Sequence, residues 1–245
     1  MTSRQAALAT FTQAPSDNPV ALLRAAQAAL NQGYAAEVEA RLAREVASRA
    51  NDPRFWQFLG LARRELQDSA GAHEAFNRAA GLAPQDPMIA HSQARTAMEA
   101  GFPALALFNR ARLLAPGDGS IALGRAATQF AEGQGEAACD QLAALLASSP
   151  GWLEGHLALA RFIAQVRPGT ALDASLRQAL ALHPQAGALW QTRLQVLMEA
   201  RDYHATLAAV AEARGALGSG EELDRIEAIC VTQLGEAAQA QVLVD

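Results

Sequence analysis

The side chains able to do chemistry are few and dispersed. Five histidines, His73, His91, His156, His183 and His204, each stand alone, outside any HxH, HxD or HExxH spacing that would aim two ligands at one metal ion. Cys139 and Cys230 lie far apart with no CxxC partner, so two free thiols packed in helices are expected rather than a disulfide framework or a zinc site. Lysine is missing altogether, since all 20 basic residues are arginine. That excludes Schiff-base chemistry, an amine nucleophile and a phosphate-loop lysine. There is no GxSxG or GxGxxG pattern either, and Gly117-Asp118-Gly119-Ser120 reads as a turn. The expectation is a segment with no catalytic residue, no cofactor and no metal, which is not an enzyme. What remains is arginine, a forked and permanently charged donor shaped for carboxylates.

The arginines need elements to position them, and composition points to helices. The chain has 245 residues, 51% of them hydrophobic, with a mean hydropathy near zero. It is rich in Ala and Leu and poor in β-branched residues, which favours an all-α fold with a sizeable buried core. Residues 1–118 carry 12 arginines against 11 acids, a net of +1, and residues 119–245 carry 8 against 14, a net of −6. That balance argues against a nucleic-acid partner. Arginines break every apolar run well short of a membrane span, and the N-terminus lacks an apolar stretch, so no membrane partner is expected and a cytoplasmic location is. An Arg-rich, Ala-rich chain without lysine suits a bacterium with a GC-rich genome.

Punctuation reveals a period. Pro84, Pro116, Pro150 and Pro184 follow one another at 32, 34 and 34 residues, and Asn18-Pro19, Asp52-Pro53 and Asp86-Pro87 recur at the same interval. A fixed period of this length marks a stacked array. Units begin at residues 19, 53, 87, 119, 153 and 187, with a partial unit from 221 and a tail or short helix over 1–17. In each unit an Asn or Asp before Pro starts a first helix. Gly33, Gly101, Gly133 and Gly235 occupy one shared position, where a left-handed residue lets the chain reverse into a second helix. Small residues where the two helices cross, such as Gly60, Ala94 and Ala126, face bulky wedges such as Phe76, Phe108 and Leu142. In this register the chain stops at Val244-Asp245 partway through a second helix; either this half-repeat serves as a cap or the array continues beyond it, and continuation is the expectation.

The arrangement Trp56, Leu59-Gly60, Ala72, Phe76, Ala79 and Pro84 resembles the tetratricopeptide repeat, and the likeness extends over roughly residues 19–245. The first unit departs from it, with Val38 and Glu45 where small residues are usual. The resemblance implies a right-handed α-α superhelix (solenoid) of tandem helical hairpins. It also implies a concave groove lined by the first helices, and hence a non-catalytic scaffold that binds a protein or peptide. In that register the groove takes Arg54, Gln57 and Arg64, then Met88, His91, Arg95 and Met98, with Phe130 and Arg161 further along. Leu23 in the first unit and Gln191, Gln195 and Met198 in the sixth fall on the same face. Arginines for carboxylates and methionines for varied apolar side chains suggest an acidic-apolar peptide segment as partner. The competing reading is that the arginines pair with Glu65 and Glu99 of their own repeats. Some tetratricopeptide proteins grip a chaperone's terminal carboxylate with Lys and Asn residues, but this chain has no Lys and carries Gln27 and Gln57 at the Asn positions. Two alternative functions compete with the scaffold. One is the N-terminal recognition arm of a longer bacterial enzyme, of sulfotransferase, glycosyltransferase or Fe(II)/2-oxoglutarate oxygenase type; the other is a self-associating structural array.

Overall fold

The computed structural model describes residues 2–167 and 169–244, and, among their side chains, those of all but Thr170 and residues 236–244. The described residues form fourteen α-helices and no strand. They divide into two compact units, Met1–Thr128 and Gln129–Asp245.

The first unit opens with α1 (Ser3–Gln13) and continues as helical hairpins: α2 (Pro19–Asn31) with α3 (Ala35–Ser48), α4 (Pro53–Glu65) with α5 (Ser69–Leu82), and α6 (Pro87–Glu99) with α7 (Leu105–Leu114). Helix α8 (Gly119–Ala131) begins in this unit and ends in the second. The second unit continues through α9 (Gly135–Ser148), α10 (Leu153–Val166), α11 (Thr170–Leu182), α12 (Gly187–Glu199), α13 (Tyr203–Leu217) and α14 (Glu221–Val244), with successive helices packed on one another from α9 onward. The first helices of the repeats begin at 19, 53, 87, 119, 153, 187 and 221, in step with the period of the sequence.

Local chemistry explains these starts and stops. Asn18, Asp52, Asp86 and Asp118 each place a side-chain oxygen on backbone N–H groups of the first turn they precede, at 2.8–3.1 Å for the shortest bond of each. Gly33, Gly101 and Gly133 reverse the chain with φ of 82°, 75° and 81°. The equivalent positions in two other repeats hold Gln67 and Arg201, which adopt φ of 63° and 55° despite their side chains. Gly235 behaves differently from its expected role. It lies inside α14, which runs unbroken from Glu221 to Val244, so no hairpin forms there.

Packing follows the pairing of small and large residues. A Cβ on Gly60 would stand 2.7 Å from the Phe76 ring, so only glycine lets α4 and α5 close on that wedge. Phe108 makes the same demand on Gly124, where a Cβ would meet the ring at 2.3 Å. This second contact joins successive repeats, Phe108 on α7 and Gly124 on α8, while Ala126, the small residue singled out from the period, is buried as well. Polar latches join successive hairpins: Gln93 donates to Asn77 at 2.7 Å and Arg125 to Asn109 at 2.6 Å. A second recurring latch is a ring N–H bonded to the carbonyl six residues earlier, made by Trp56 to Ala50, His156 to Pro150 and Trp190 to Pro184 at 2.8–2.9 Å. A carbonyl only accepts, so His156 carries its proton on Nε2.

The N-terminal helix docks on the first hairpin. Phe11 is buried with Leu22, Leu23 and Leu42. Arg41 donates to the carbonyls of Phe11 and Ala14, satisfying the open C-terminal end of α1. Glu45, one of the departures of the first repeat, pairs with Arg49 and accepts from Ser16 in the α1–α2 link at 2.6 Å.

Candidate functional site

Two candidate surfaces lie on the first helices, one in each unit, and they differ in chemistry. In the first unit Arg54, Gln57 and Arg64 project from α4, and Met88, His91, Arg95 and Met98 from α6. Each of the three arginines has a carboxylate within reach: Arg54 pairs with Asp52 at 2.7 Å, Arg64 with Glu65 and Arg95 with Glu99, both at 3.4 Å. These are pairs between residues close in sequence. Arg54, 52% exposed, grips Asp52 with two bonds, at 3.0 and 2.7 Å, whereas the single contact of Arg95, 37% exposed, with Glu99 is worth about 0–1 kcal/mol.

His91 on α6 feels charges on the neighbouring helices. Burial lowers its basicity; Asp118, at the start of α8, opposes this, and the Arg64 guanidinium on α4 adds to it. Its ring faces Phe108 with centroids 6.3 Å apart. Met88 is 66% exposed, a free apolar contact beside these charges. Met98, by contrast, packs against the buried cluster of Ala94, Ala97 and Phe108, and contributes mostly to the core. Leu23, on the same register face in the first repeat, is covered by α1 and buried.

Phe130 and Arg161 belong to the second unit. Phe130 stacks on Phe162 at 4.6 Å, with ring planes 21° apart. Arg161 is exposed on α10 and has no carboxylate within ion-pair distance among the described residues. A concavity of this unit lies between α12 and α14, a cleft of about 620 Å³. Gln191, Gln195 and Met198, on the groove face by register, line one wall, and Leu223, Ile226 and Ile229 of α14 line the other. The α14 side was not singled out in the sequence, although its Leu-x-x-Ile-x-x-Ile spacing puts three apolar residues along one side of a helix. A buried cation was also missed: Arg193, 7% exposed, is held by Asp173 at 3.1 Å and Glu212 at 2.6 Å and lies over the Trp190 ring. Its partners lie 20 and 19 residues away, beyond any local pattern.

Cys139 and Cys230 are buried and unbridged, and burial pushes both thiols up from their ordinary range, leaving them poorly reactive. Among the described residues no group of three or more His, Cys, Asp or Glu side chains could hold a metal ion, and no helix is long and apolar enough to cross a membrane.

No protein-family model matches the sequence, and no curated protein does. Solved structures do match. The fold is similar to that of a tetratricopeptide repeat protein from Parabacteroides merdae, with a TM-score of 0.64, 12% identity, and 93% of this chain and 91% of that one covered. It is similar to PilW, a type IV pilus biogenesis factor, with a TM-score of 0.60, 18% identity, and 83% and 95% covered. It is also similar to the MamA protein, with a TM-score of 0.55, 14% identity, and 67% and 91% covered. At these identities the likeness is one of fold: an all-α array of tandem hairpins of the tetratricopeptide type.

Proposed function

We propose that this tetratricopeptide-type array is a protein-interaction scaffold, and that the α4–α6 face of its first unit receives an acidic-apolar peptide segment. The observation that carries the reading is the set of arginines around His91 and Met88, each paired only with a carboxylate close to it in sequence. Arg54 and Arg95 exchange the part-exposed local carboxylates Asp52 and Glu99 for those of a ligand, while Met88 offers 66% of its surface to an apolar side chain. Arg64, 23% exposed and adjoining His91, sets the positive field at the centre. The first unit contains 13 arginines against 11 acids, a net of +2, whereas the second contains 7 against 14, a net of −7, which favours the first for an acidic guest. Support for a scaffold comes from the fold, which is similar to that of tetratricopeptide repeat proteins.

The test is affinity capture from a bacterial lysate with the wild-type chain and with Arg54→Glu combined with Arg95→Glu. Both arginines lie outside the core, so the melting temperature should stay within a few degrees of wild type. Capture of the partner should be lost. Retention of the same partner by the double variant would overturn the assignment of this face.

A further inference from the structure

The α12–α14 cleft carries chemistry opposite to that of the arginine face. It is lined by Trp190, Leu194 and Met198 from α12 and by Leu223, Ile226 and Ile229 from α14. At about 620 Å³ it is large enough for several apolar side chains, and it lies in the size range of specific ligand sites. Leu217 and Ile229 at its edge are 43% and 42% exposed, which leaves apolar surface in water that a partner would cover.

The rim determines which partner fits. Among the described lining residues the one cation, Arg225, donates to both oxygens of Glu222 at 2.6 Å, so the two together add no net charge to the rim. Next to the lining residue Met198, Glu199 accepts from Gln195 at 2.9 Å and has no cation within ion-pair distance among the described residues. Glu221 adds a further negative charge at the start of α14. An anionic guest is therefore repelled, and a guest with apolar side chains flanked by cations is drawn in. We propose that this cleft is a second interaction site, built to take the apolar edge of a basic amphipathic helix. It goes beyond the acidic-peptide face and can fail without it, since the two sites lie in different units and select opposite charges.

The experiment uses the full chain and synthetic helices of about 18 residues with Leu at helical spacing and Lys elsewhere. A second peptide replaces every Lys with Glu, and calorimetric titration compares the two. The Leu/Lys helix should bind at least about tenfold tighter than the Leu/Glu helix. Ile229→Lys, at a position 42% exposed, should weaken it by about tenfold or more with a near wild-type melting temperature. Glu199→Lys should weaken it as well, which keeps the test open should Ile229→Lys disturb folding. Arg54→Glu with Arg95→Glu should leave it unchanged. Equal binding of both peptides, or no effect of Ile229→Lys and Glu199→Lys, would overturn the proposal. So would a neutral alkyl glycoside monomer competing fully with the helix, which would make the cleft a small-molecule site. Light scattering showing self-association that Ile229→Lys abolishes would also overturn it, by making a second copy the occupant.

Discussion

At the scale of single residues the fold rests on contacts between a ring and a bare backbone. Phe76 is fully buried against Gly60, so Phe76→Ala should cost about 3–5 kcal/mol through the cavity it leaves. Gly60→Leu should cost about 1–3 kcal/mol by forcing α4 from α5. Denaturant titrations check both, and parental stability in either variant would contradict this packing. His91 gives a pH signature. Its basicity is lower in the folded chain than the ordinary value of 6.5, so the neutral ring is favoured by folding. The stability it contributes is present above that value and is lost as pH falls below it, because the unfolded chain then binds the proton more readily. Thermal melts should fall between neutral and mildly acidic pH, and His91→Gln should flatten that slope; an identical slope in the variant would remove His91 as its source. An acidic ligand on the same face raises the imidazole's proton affinity, so its binding should tighten over that interval.

Helices and turns show what the sequence made legible. Asn18, Asp52 and Asp86 before proline mark their helix starts because a cap and a fixed φ are local properties, and Gly33, Gly101 and Gly133 mark their turns for the same reason. Gln67 and Arg201 occupy the same left-handed position without the residue that signals it, held there by the helices on either side. Gln67→Gly should therefore raise stability by about 0.5–1 kcal/mol, as relief of the Cβ clash exceeds the added chain entropy. A lower melting temperature would contradict it. Gly235 illustrates the reverse case, because a glycine ends a helix only when a second helix folds back on it, and α14 continues instead. The role of Glu45 in holding α1 and of Arg193 in bridging α11 and α13 depends on partners brought close only by folding. A local reading of the sequence has no access to those contacts.

For the whole molecule, the repeat period carried the architecture, because each hairpin buries its faces only against its neighbours and repeats the same demand every 34 residues. The candidate face was legible only as a register. Arg54, Arg64, His91 and Arg95 could be placed on one side of α4 and α6, but their local carboxylate partners and the burial of Met98 required coordinates. Charge is divided between the units, net +2 and net −7, and the two proposed sites follow that division. The central claim, that the first helices of the hairpins present the binding face, is tested most directly by backbone hydrogen exchange with and without the captured acidic partner. Slowed exchange concentrated in α4 and α6 is the expected result. Slowing confined to α3, α5 and α7, with α4 and α6 unchanged, would contradict the account.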